Sequence, residues 1–477
     1  MDDARRGLPG QPIELAGGTH SFIDDYLIER TSALTRAAHT ARRLPRPVLE
    51  SGPGTRHTQV LFFPRVFHDP DNSAAPFRMW YDAGFTGSER RSYGYAESDD
   101  GLTWRYPELD IVEIAGSRAN NVVRRGAYCM CLVDHARHGC GAGVADPEHR
   151  FVLLYTGGDR FSAAYSPDGF HWTDDPDNPV YLDTEHRMED RLNGCWDPLR
   201  NRYLVTAGYS GRPDDGFAGK PPFHRDGYRR LVAQTTSSDL RRWTPFRPIV
   251  VSDPEEEGPM REFYGMQPVM RGSLYLGLLR VLRDDLPADP GGPVHGIGWT
   301  ELCTSRDGEH WTRQDGVLLD RDRRPGSWDH AMAWAGECVT VGDRELIYYS
   351  GYARGHKMGI WDGDRQLGVA TLRRDGFVSH DAGAQEPGTL RTRPFVWNAA
   401  RLTVNAQVRG ELRVRLLDEA GLPVPGHFFR DCRPLTGDGV TQEVRWTGTP
   451  ASLRGRVVRL EFRLRDAELY AFTLIES

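Results

Sequence analysis

A seven-residue motif that recurs along the chain limits the possible folds more than any other feature of the sequence. Its copies are SDDGLTW (98–104), SPDGFHW (166–172), SSDLRRW (237–243) and SRDGEHW (305–311), with a degenerate fifth copy, RRDGFVS (373–379). From Asp100 to Asp375 the third residues follow one another after 68, 71, 68 and 68 positions. A period of this length is typical of a repeat architecture in which each copy belongs to one structural unit.

The residue types of the motif have a structural explanation. The aspartate can accept hydrogen bonds from the amides of its own turn, the glycine permits a positive φ, and the tryptophan can pack over the hairpin. Apolar runs such as YGYAE, SAAY and ELCT precede the motif and indicate a strand. We therefore interpret the motif aspartates as turn-forming residues.

Each repeat contains enough apolar runs for a four-stranded antiparallel unit. In the first repeat, TQVLFFPRVF (58–67) and FRMWYDAGF (77–85) precede the strand that leads into the motif, and the motif tryptophan opens a fourth strand. Five such units predict an all-β fold, a five-bladed β-propeller over residues 21–379, after an N-terminal extension of residues 1–20. We expect FIDDYLIE (22–29) to supply the strand that closes the ring.

The last part of the chain lacks the motif but keeps the alternation of a β protein. Segments such as ARLTVNAQV, TQEVRWTG and VVRLEFRLRDAELYAFTLI alternate apolar and polar residues. This pattern predicts a C-terminal β-sandwich over residues 380–477. Its expected role is packing against the propeller, and the alternative is carbohydrate binding.

Composition excludes several classes of partner. The net charge of −7 provides no positive field for nucleic acid or for an anionic membrane. The N-terminus lacks the apolar core of a signal peptide, and no run of about 18 apolar residues occurs. Seven scattered cysteines, an odd number, favour reduced thiols and a cytoplasmic location.

In a propeller, the loops that lead into the innermost strands form one funnel, whereas the motif hairpins lie on the opposite rim. We therefore take residues in the funnel loops and at the starts of the innermost strands as candidates for function, a criterion that we call the funnel filter. It predicts the substrate-binding residues His57, Asp82, Arg91, Asn121, Arg160, Asn193, Arg261, Tyr264, Trp328, His330 and Arg354. It also selects Glu189, Asp284 and His356. We expect Tyr264 and Trp328 to stack on a sugar ring.

Three carboxylates from separate repeats are the predicted catalytic residues, namely Asp190, Glu262 and Asp329. Glycosidic cleavage needs one carboxylic acid to protonate the leaving oxygen and a second carboxylate to act as nucleophile or to activate water. We expect Glu262 to be the general acid and the two aspartates to be base, nucleophile or pKa modulator. The alternative is that these carboxylates form ion pairs with neighbouring arginines.

Several segments resemble a known group of enzymes. FIDDYLIE, MWYDAG (79–84), NNVV (120–123), DRLNGCWDP (190–198), GSWDHAM (326–332) and PVPGHFFRDC (423–432) are similar to a poorly characterised bacterial group of glycosyl hydrolase-like propellers. That group resembles the five-bladed arabinanases, arabinofuranosidases and invertases, which place three carboxylates on the propeller axis. The resemblance implies a glycosidase. The aspartate with which those enzymes open blade one has no counterpart in TRHTQ (55–59), so Asp25 is an alternative member of the trio.

The sequence therefore predicts a glycoside hydrolase that cleaves a small oligosaccharide or glycoside, more in an exo than in an endo manner. A phosphorylase or an acidic-sugar enzyme is one alternative, because the funnel is rich in arginine. A non-catalytic carbohydrate-binding propeller is another. We expect no metal or cofactor, since CMCLVDHARHGC (129–140) and DPEEEG (253–258) lack regular ligand spacings, although an axial calcium ion is compatible with the fold.

Overall fold

The prediction of an all-β chain is confirmed in outline. The computed structural model describes residues 11–15, 17–60, 64–88, 91–126, 129–136, 146–157, 159–185, 187–189, 191–211, 228–258, 260–358 and 364–476. Across these residues strands dominate, and the helical segments are short: α1 (Pro254–Glu257) and the 3-10 segments Asp25–Leu27, Pro147–His149 and Pro450–Leu453. In the same part of the chain, none of the helices has the length and apolar character needed to span a membrane.

The chain divides into two compact units. The terminal unit comprises Met1–His39, Gly342–Glu345 and Leu372–Ser477, and the repeat unit comprises Thr40–Val341 and Leu346–Thr371. The terminal unit begins with three strands, β1 (Gly18–Ser21), β2 (Ile28–Ser32) and β3 (Thr35–Ala38). The repeat unit begins with the short strand β4 (Arg42–Arg43).

The strands of the repeat unit form four sheets, and we describe them as five successive groups because a single parallel pair, Gly298 with Met332, joins the two halves of the eight-stranded sheet. The first contains β5 (His57–Val60), β6 (Arg65–His68), β7 (Phe77–Phe85), β8 (Arg91–Ser98), β9 (Trp104–Arg105) and β10 (Val122–Arg125). The second contains β11 (Cys131–Asp134), β12 (Phe151–Thr156), β13 (Arg160–Ser166), β14 (Thr173–Asp174) and β15 (Tyr181–Leu182). The third contains β16 (Asn193–Asp197), β17 (Arg202–Gly211), β18 (Arg229–Ser237) and β19 (Arg247–Val250). The fourth contains β20 (Glu262–Arg271), β21 (Leu274–Arg283), β22 (Ile297–Ser305) and β23 (Thr312–Arg313). The fifth contains β24 (Met332–Val341), β25 (Arg344–Tyr352) and β26 (Arg365–Arg373), with β4 antiparallel to β26.

The strand that adds to β26 is β4, not the segment 22–29 that the sequence led us to expect. Arg42 and Arg43 pair with Thr371 and Ala370. Within FIDDYLIE, Phe22 and Leu27 are instead fully buried in the core of the terminal unit. Their large apolar side chains are stabilised there by burial, which fixes the segment in that unit.

The motif turns have the hydrogen bonds that the sequence predicted. In the second copy, Oδ1 of Asp168 accepts from the backbone N–H groups of Phe170 at 2.8 Å and His171 at 2.9 Å, and Gly169 has a φ of 84°. Asp100, Asp239 and Asp307 make the same pair of bonds in their copies. These aspartates are therefore turn-forming residues, as interpreted.

The turns also contact neighbouring groups of strands. Trp80 of the first group donates to the carbonyl of Gly169 in the second at 2.8 Å, and a Cβ at Gly169 would lie 2.7 Å from that indole. Tyr348 of the fifth group donates to the carbonyl of Gly101 in the first at 2.9 Å. The last group of strands therefore contacts the first.

The rest of the terminal unit continues with β27 (Val378–Ala382), β28 (Gly388–Thr392), β29 (Phe395–Val396), β30 (Arg401–Asp418), β31 (Leu435–Val444) and β32 (Val457–Ile475). All nine strands of this unit belong to one sheet, in which β32 pairs with β1, β27, β28, β29 and β30. Trp397, Phe462 and Phe472 are fully buried in its core. The described residues of this unit thus bury a core of their own.

Candidate active site

The guanidinium of Arg230 joins two carboxylates at the edge of the fourth group of strands. Its Nη1 donates to Oε2 of Glu262 at 2.7 Å and lies 3.6 Å from Oδ2 of Asp284. The backbone N–H of Arg230 also donates to Oε1 of Glu262, at 3.1 Å. Glu262 is the first residue of β20 and pairs with Leu282 near the end of β21, so the antiparallel register brings Asp284 to the same end of the sheet.

Asp284 is held in its ionised form by its neighbours. His356 donates from Nδ1 to Oδ1 of Asp284 at 2.8 Å, and Lys357 donates to the carbonyl of Asp284 at 2.9 Å. Burial alone would raise the pKa of Asp284, but the hydrogen bond from His356 and the charges of Arg230 and Lys357 lower it below its usual value. A carboxylate in this state can act as a base or as a nucleophile.

A third carboxylate, Glu189, lies beside the first two. It forms an ion pair with Arg191 and accepts a hydrogen bond from the hydroxyl of Ser210. Burial favours a higher pKa for Glu189, but Arg191, Ser210 and Arg230 together lower it. We call Glu189, Glu262 and Asp284, together with Arg191, Arg230 and His356, the carboxylate cluster.

Tyr264 forms an aromatic wall of this cluster. Its ring stacks on Trp334 with centroids 4.3 Å apart, and the guanidinium carbon of Arg191 lies 4.4 Å from its centroid. A stacked indole and a guanidinium at these distances together cover most of the ring, and we interpret them as lying on its two faces. Because both faces of Tyr264 are occupied, the structure does not support the predicted stacking of a sugar on this residue.

A fully buried arginine lies under the cluster. Arg280 donates from Nη2 to Oδ1 of Asn193 at 3.0 Å and from Nε to the carbonyl of Ala335 at 2.8 Å. Burial lowers the pKa of Arg280 to about 9. Asn193, which the sequence predicted to bind substrate, is itself buried and instead orients Arg280.

Three further predicted substrate-binding residues belong to the core. His57, Asp82 and Asn121 are at most 1% exposed, so a substrate cannot reach their side chains. The hydroxyl of Tyr81 joins two of them: it lies 2.9 Å from Nε2 of His57 and accepts from Nδ2 of Asn121 at 2.6 Å. Asn121 directly precedes β10, which pairs with β8 of the first group, so it does not open the second group as the sequence suggested.

The four predicted substrate-binding arginines are engaged in ion pairs. Their partners are Asp82 for Arg91, Asp159 for Arg160, Glu301 for Arg261 and Asp364 for Arg354. None of these four ion pairs includes a carboxylate of the cluster.

The structure places Asp329 in a different environment from Glu262. Oδ2 of Asp329 accepts from Tyr349 at 2.8 Å and from Nη1 of Arg43 at 3.1 Å. Asp329 and Trp328 line a cavity of about 1050 Å³, and no residue of the carboxylate cluster is among its lining residues. The predicted pairing of Glu262 with Asp329 is therefore not supported by a shared site.

Of the other two candidates for the catalytic carboxylates, Asp190 lies outside the described residues, and Asp25 is exposed in the terminal unit.

His330 is buried near this cavity. Its Nδ1 lies 2.9 Å from the carbonyl of Asp322, and its Nε2 lies 2.9 Å from Oδ1 of Asp289. Because both ring nitrogens have protein partners, His330 positions the loop before β24 in this structure.

Sequence reasoning missed the central residue of the cluster. Arg230 lies in the run YRRLVAQTT (228–236), which reads as a strand, and the filter for funnel residues selected only loop positions and strand starts. The available signal was a charged pair, Arg229 and Arg230, at the beginning of an otherwise uncharged and buried strand. A buried charge in such a place requires a partner.

No group of three side chains suited to a metal ion occurs among the described residues. Of the candidates in CMCLVDHARHGC, Cys129, Cys131 and His135 are buried, and His138 and Cys140 lie outside the described residues. Burial raises the pKa of the Cys131 thiol to about 11, which disfavours the thiolate that a metal requires.

Comparisons with known proteins give matches among solved structures only. No family model and no curated protein matches the chain. A glycosyl hydrolase from Bacteroides ovatus is similar with a TM-score of 0.43 and 15% identity, over 70% of this chain and 94% of that one. A fructofuranosidase from Schwanniomyces occidentalis, complexed with fructosylnystose, has a TM-score of 0.41 and 11% identity, over 92% and 98% of the two chains. An N-acetylgalactosamine deacetylase from F. plautii, in complex with blood group B trisaccharide, has a TM-score of 0.41 and 16% identity, over 72% and 97%. The similar structures thus include glycoside hydrolases, the class that the sequence motifs resemble.

Proposed function

We propose that the chain is a glycoside hydrolase whose repeat unit is a five-bladed β-propeller, with the five groups of strands as its blades. The proposal is supported by the repeated motif turns and by the contact of Tyr348 in the last group with Gly101 in the first. The C-terminal strands of the terminal unit would form the accessory β-sandwich. The substrate would be a small oligosaccharide or glycoside, cleaved from its end.

The observation that carries the catalytic assignment is the position of two carboxylates on one nitrogen of Arg230. The distances of 2.7 Å to Glu262 and 3.6 Å to Asp284 limit the separation of the two oxygens that face Arg230 to at most about 6.3 Å, and so close a pair favours a retaining enzyme over an inverting one, whose carboxyl groups are roughly 6.5–9.5 Å apart. Retaining glycosidases need about 5–5.5 Å, which this limit allows. We therefore assign Glu262 and Asp284 as the catalytic pair of a retaining enzyme.

The role of Asp284 follows from its neighbours, and Glu262 is assigned as the acid because a retaining mechanism requires one beside the nucleophile. Asp284, ionised beside His356, attacks the anomeric carbon and forms a glycosyl–enzyme ester, while Glu262 gives its proton to the leaving oxygen. Glu262 then removes a proton from water, and the water oxygen displaces Asp284 from the anomeric carbon. Arg230 positions both carboxylates, and Glu189 adds negative charge that favours the oxocarbenium-like transition state.

The test begins with turnover of nitrophenyl furanosides and pyranosides by the purified protein. Proton NMR of the first product then reads its anomeric configuration, which we expect to be that of the substrate. For the Asp284→Ala variant, we expect azide to restore turnover and to give a glycosyl azide of inverted configuration. Release of the inverted sugar by the wild type, or azide rescue of Glu262→Ala alone with an inverted azide, would overturn the assignment of Asp284.

Phosphorolysis is the second candidate, because cationic side chains surround the carboxylates. Arg191, Arg230 and Lys357 all lie in or beside the cluster. A phosphorylase would use inorganic phosphate in place of water and release a sugar 1-phosphate. Turnover that requires phosphate, with a phosphorylated product by ³¹P NMR, would favour this candidate over hydrolysis.

A further inference from the structure

Trp328 and Asp329 line a cavity of the repeat unit that includes no residue of the carboxylate cluster. Its volume is about 1050 Å³, and residues from two stretches of chain, 40–45 and 320–329, line it. The first stretch contains β4, and the second is the loop that leads into β24. A cavity of this size holds a ligand of two or three sugar rings.

Trp328 forms a flat platform in this cavity. A Cβ at Gly351 would lie 2.3 Å from its indole, and a Cβ at Gly368 would lie 2.4 Å away, so the ring rests directly on two glycines of β25 and β26. The indole also stacks on Tyr349, with centroids 5.4 Å apart and an angle of 27°. One face is therefore covered by the sheet, and the partly exposed indole presents its other face to the cavity.

The lining of the cavity carries more positive than negative charge. Five arginines and three aspartates contribute: Arg42, Arg43, Arg321, Arg323, Arg324, Asp320, Asp322 and Asp329. Arg43 bridges Asp322 and Asp329 at 3.1 Å each, Arg324 binds Asp322 and Arg323 binds Asp320. These pairs neutralise the aspartates and leave the guanidiniums of Arg42 and Arg321 in excess.

Arg321 is in a position where an anion would be stabilised. It is buried, and its Nη1 donates to the carbonyl of His330 at 2.7 Å. Burial and the neighbouring charge of Arg323 lower the pKa of Arg321, and the charges of Asp320 and Asp289 offset only part of this effect. A negative group placed beside Arg321 and Arg323 would stabilise the charged form of Arg321 and so offset both its burial and its repulsion by Arg323.

We propose that this cavity is a second carbohydrate-binding site, specific for a saccharide with a carboxylate, such as a uronic acid residue. A pyranose ring stacks on the free face of Trp328, and the carboxylate meets Arg42 and Arg321. The aspartates of the lining accept hydrogen bonds from sugar hydroxyls. The site does not depend on the catalytic pair, since the cavity lining includes neither Glu262 nor Asp284.

The test is calorimetric titration with trigalacturonate and with a hyaluronan tetrasaccharide, alongside the neutral galactotriose and a nucleoside diphosphate. We expect at least one acidic saccharide to bind the wild type at least tenfold more tightly than galactotriose. Trp328→Ala and Arg42→Glu should each weaken that binding at least tenfold. Arg242→Ala, a control at an exposed arginine of a motif turn, and Glu262→Gln should bind as the wild type does.

Several outcomes would overturn the proposal. These are the absence of binding by both acidic saccharides, equal binding of galactotriose, preference for the nucleotide, or unchanged affinity in both Trp328→Ala and Arg42→Glu. Because Arg42 is exposed, its variant keeps the test decisive even if Trp328→Ala fails to fold. Loss of binding in Glu262→Gln would show that the saccharide binds at the carboxylate cluster, and it would likewise overturn the proposal of a second site.

Discussion

Nη1 of Arg230 donates to Oε2 of Glu262 at 2.7 Å, and the backbone N–H of the same arginine donates to the other carboxylate oxygen at 3.1 Å. Glu262 is thereby fixed at both oxygens by a residue 32 positions earlier in the chain. Charge-assisted hydrogen bonds of this kind orient a carboxylate strongly. The position of Glu262 is thus set by the neighbouring group of strands.

Replacement of Glu262 by glutamine should remove the acid without changing the shape of the site. We expect kcat to fall by about 10²–10⁴-fold, the usual contribution of a general acid. The melting temperature should fall less than in Glu262→Ala, because the amide oxygen still accepts one of the two hydrogen bonds from Arg230. Glu256→Gln, at an exposed position of α1, is the matched control and should retain full turnover. Wild-type kcat in Glu262→Gln would contradict the assignment.

Arg230→Met should destabilise the fold, because it leaves Glu262 and Asp284 buried without their shared cation. Removal of one partner from a buried ion pair costs about 3–5 kcal/mol. The double variant Arg230→Met/Glu262→Gln should recover part of this loss, since one of the stranded charges is then gone. Urea unfolding measures both free energies. Arg242→Met, whose side chain is 91% exposed, should change stability by less than about 0.5 kcal/mol. If the change in the free energy of unfolding of the double variant equalled the sum of the changes in the two single variants, Arg230 and Glu262 would not be coupled.

The free energy of unfolding should fall in mild acid because of the buried side chain of His57. Burial lowers its pKa from 6.5 to about 4, so the unfolded chain binds a proton more readily than the folded protein. The contribution of neutral His57 to the free energy of unfolding is complete above pH 6.5. It is lost as the pH falls toward 4, which lowers the free energy of unfolding by roughly 3 kcal/mol. His57→Gln should reduce this slope in unfolding experiments between pH 7 and pH 4.5. His149→Gln, an exposed histidine, should leave the slope unchanged. An NMR titration that places the pKa of His57 near 6.5 would refute the prediction.

Asp168→Ala should weaken a motif turn without affecting the site. Its Oδ1 accepts two backbone N–H groups, and its Oδ2 lies 2.7 Å from Nδ1 of His171. By analogy with the loss of a helix cap, the free energy of unfolding should fall by about 1 kcal/mol. Turnover at a temperature well below the melting point should be unchanged. Asp177→Ala, an exposed aspartate of the same group of strands, is the control. A large fall in kcat would indicate a role in catalysis after all.

The candidate site was only partly predictable from sequence. Glu262, at a strand start, and Asp284 and His356, in the following loops, were selected as funnel residues and do meet in the carboxylate cluster. Trp328 and Asp329 were selected by the same rule but line a cavity that includes no residue of the cluster. The rule locates a loop, whereas the direction of each side chain depends on the surface against which the loop packs.

The sequence by itself determined the elements that form through interactions between residues close together in the chain. A motif aspartate bonds to amides two and three residues away, so the turns and the repeat of about 68 residues could be read directly. Tertiary structure decided the partners. Glu262 and Arg230 meet because neighbouring strands bring together residues that no short-range pattern connects. Trp328 lies flat in its cavity because Gly351 and Gly368, in two later strands, leave space for an indole ring. Close packing between distant segments fixes such contacts, and they exist only once the chain has folded.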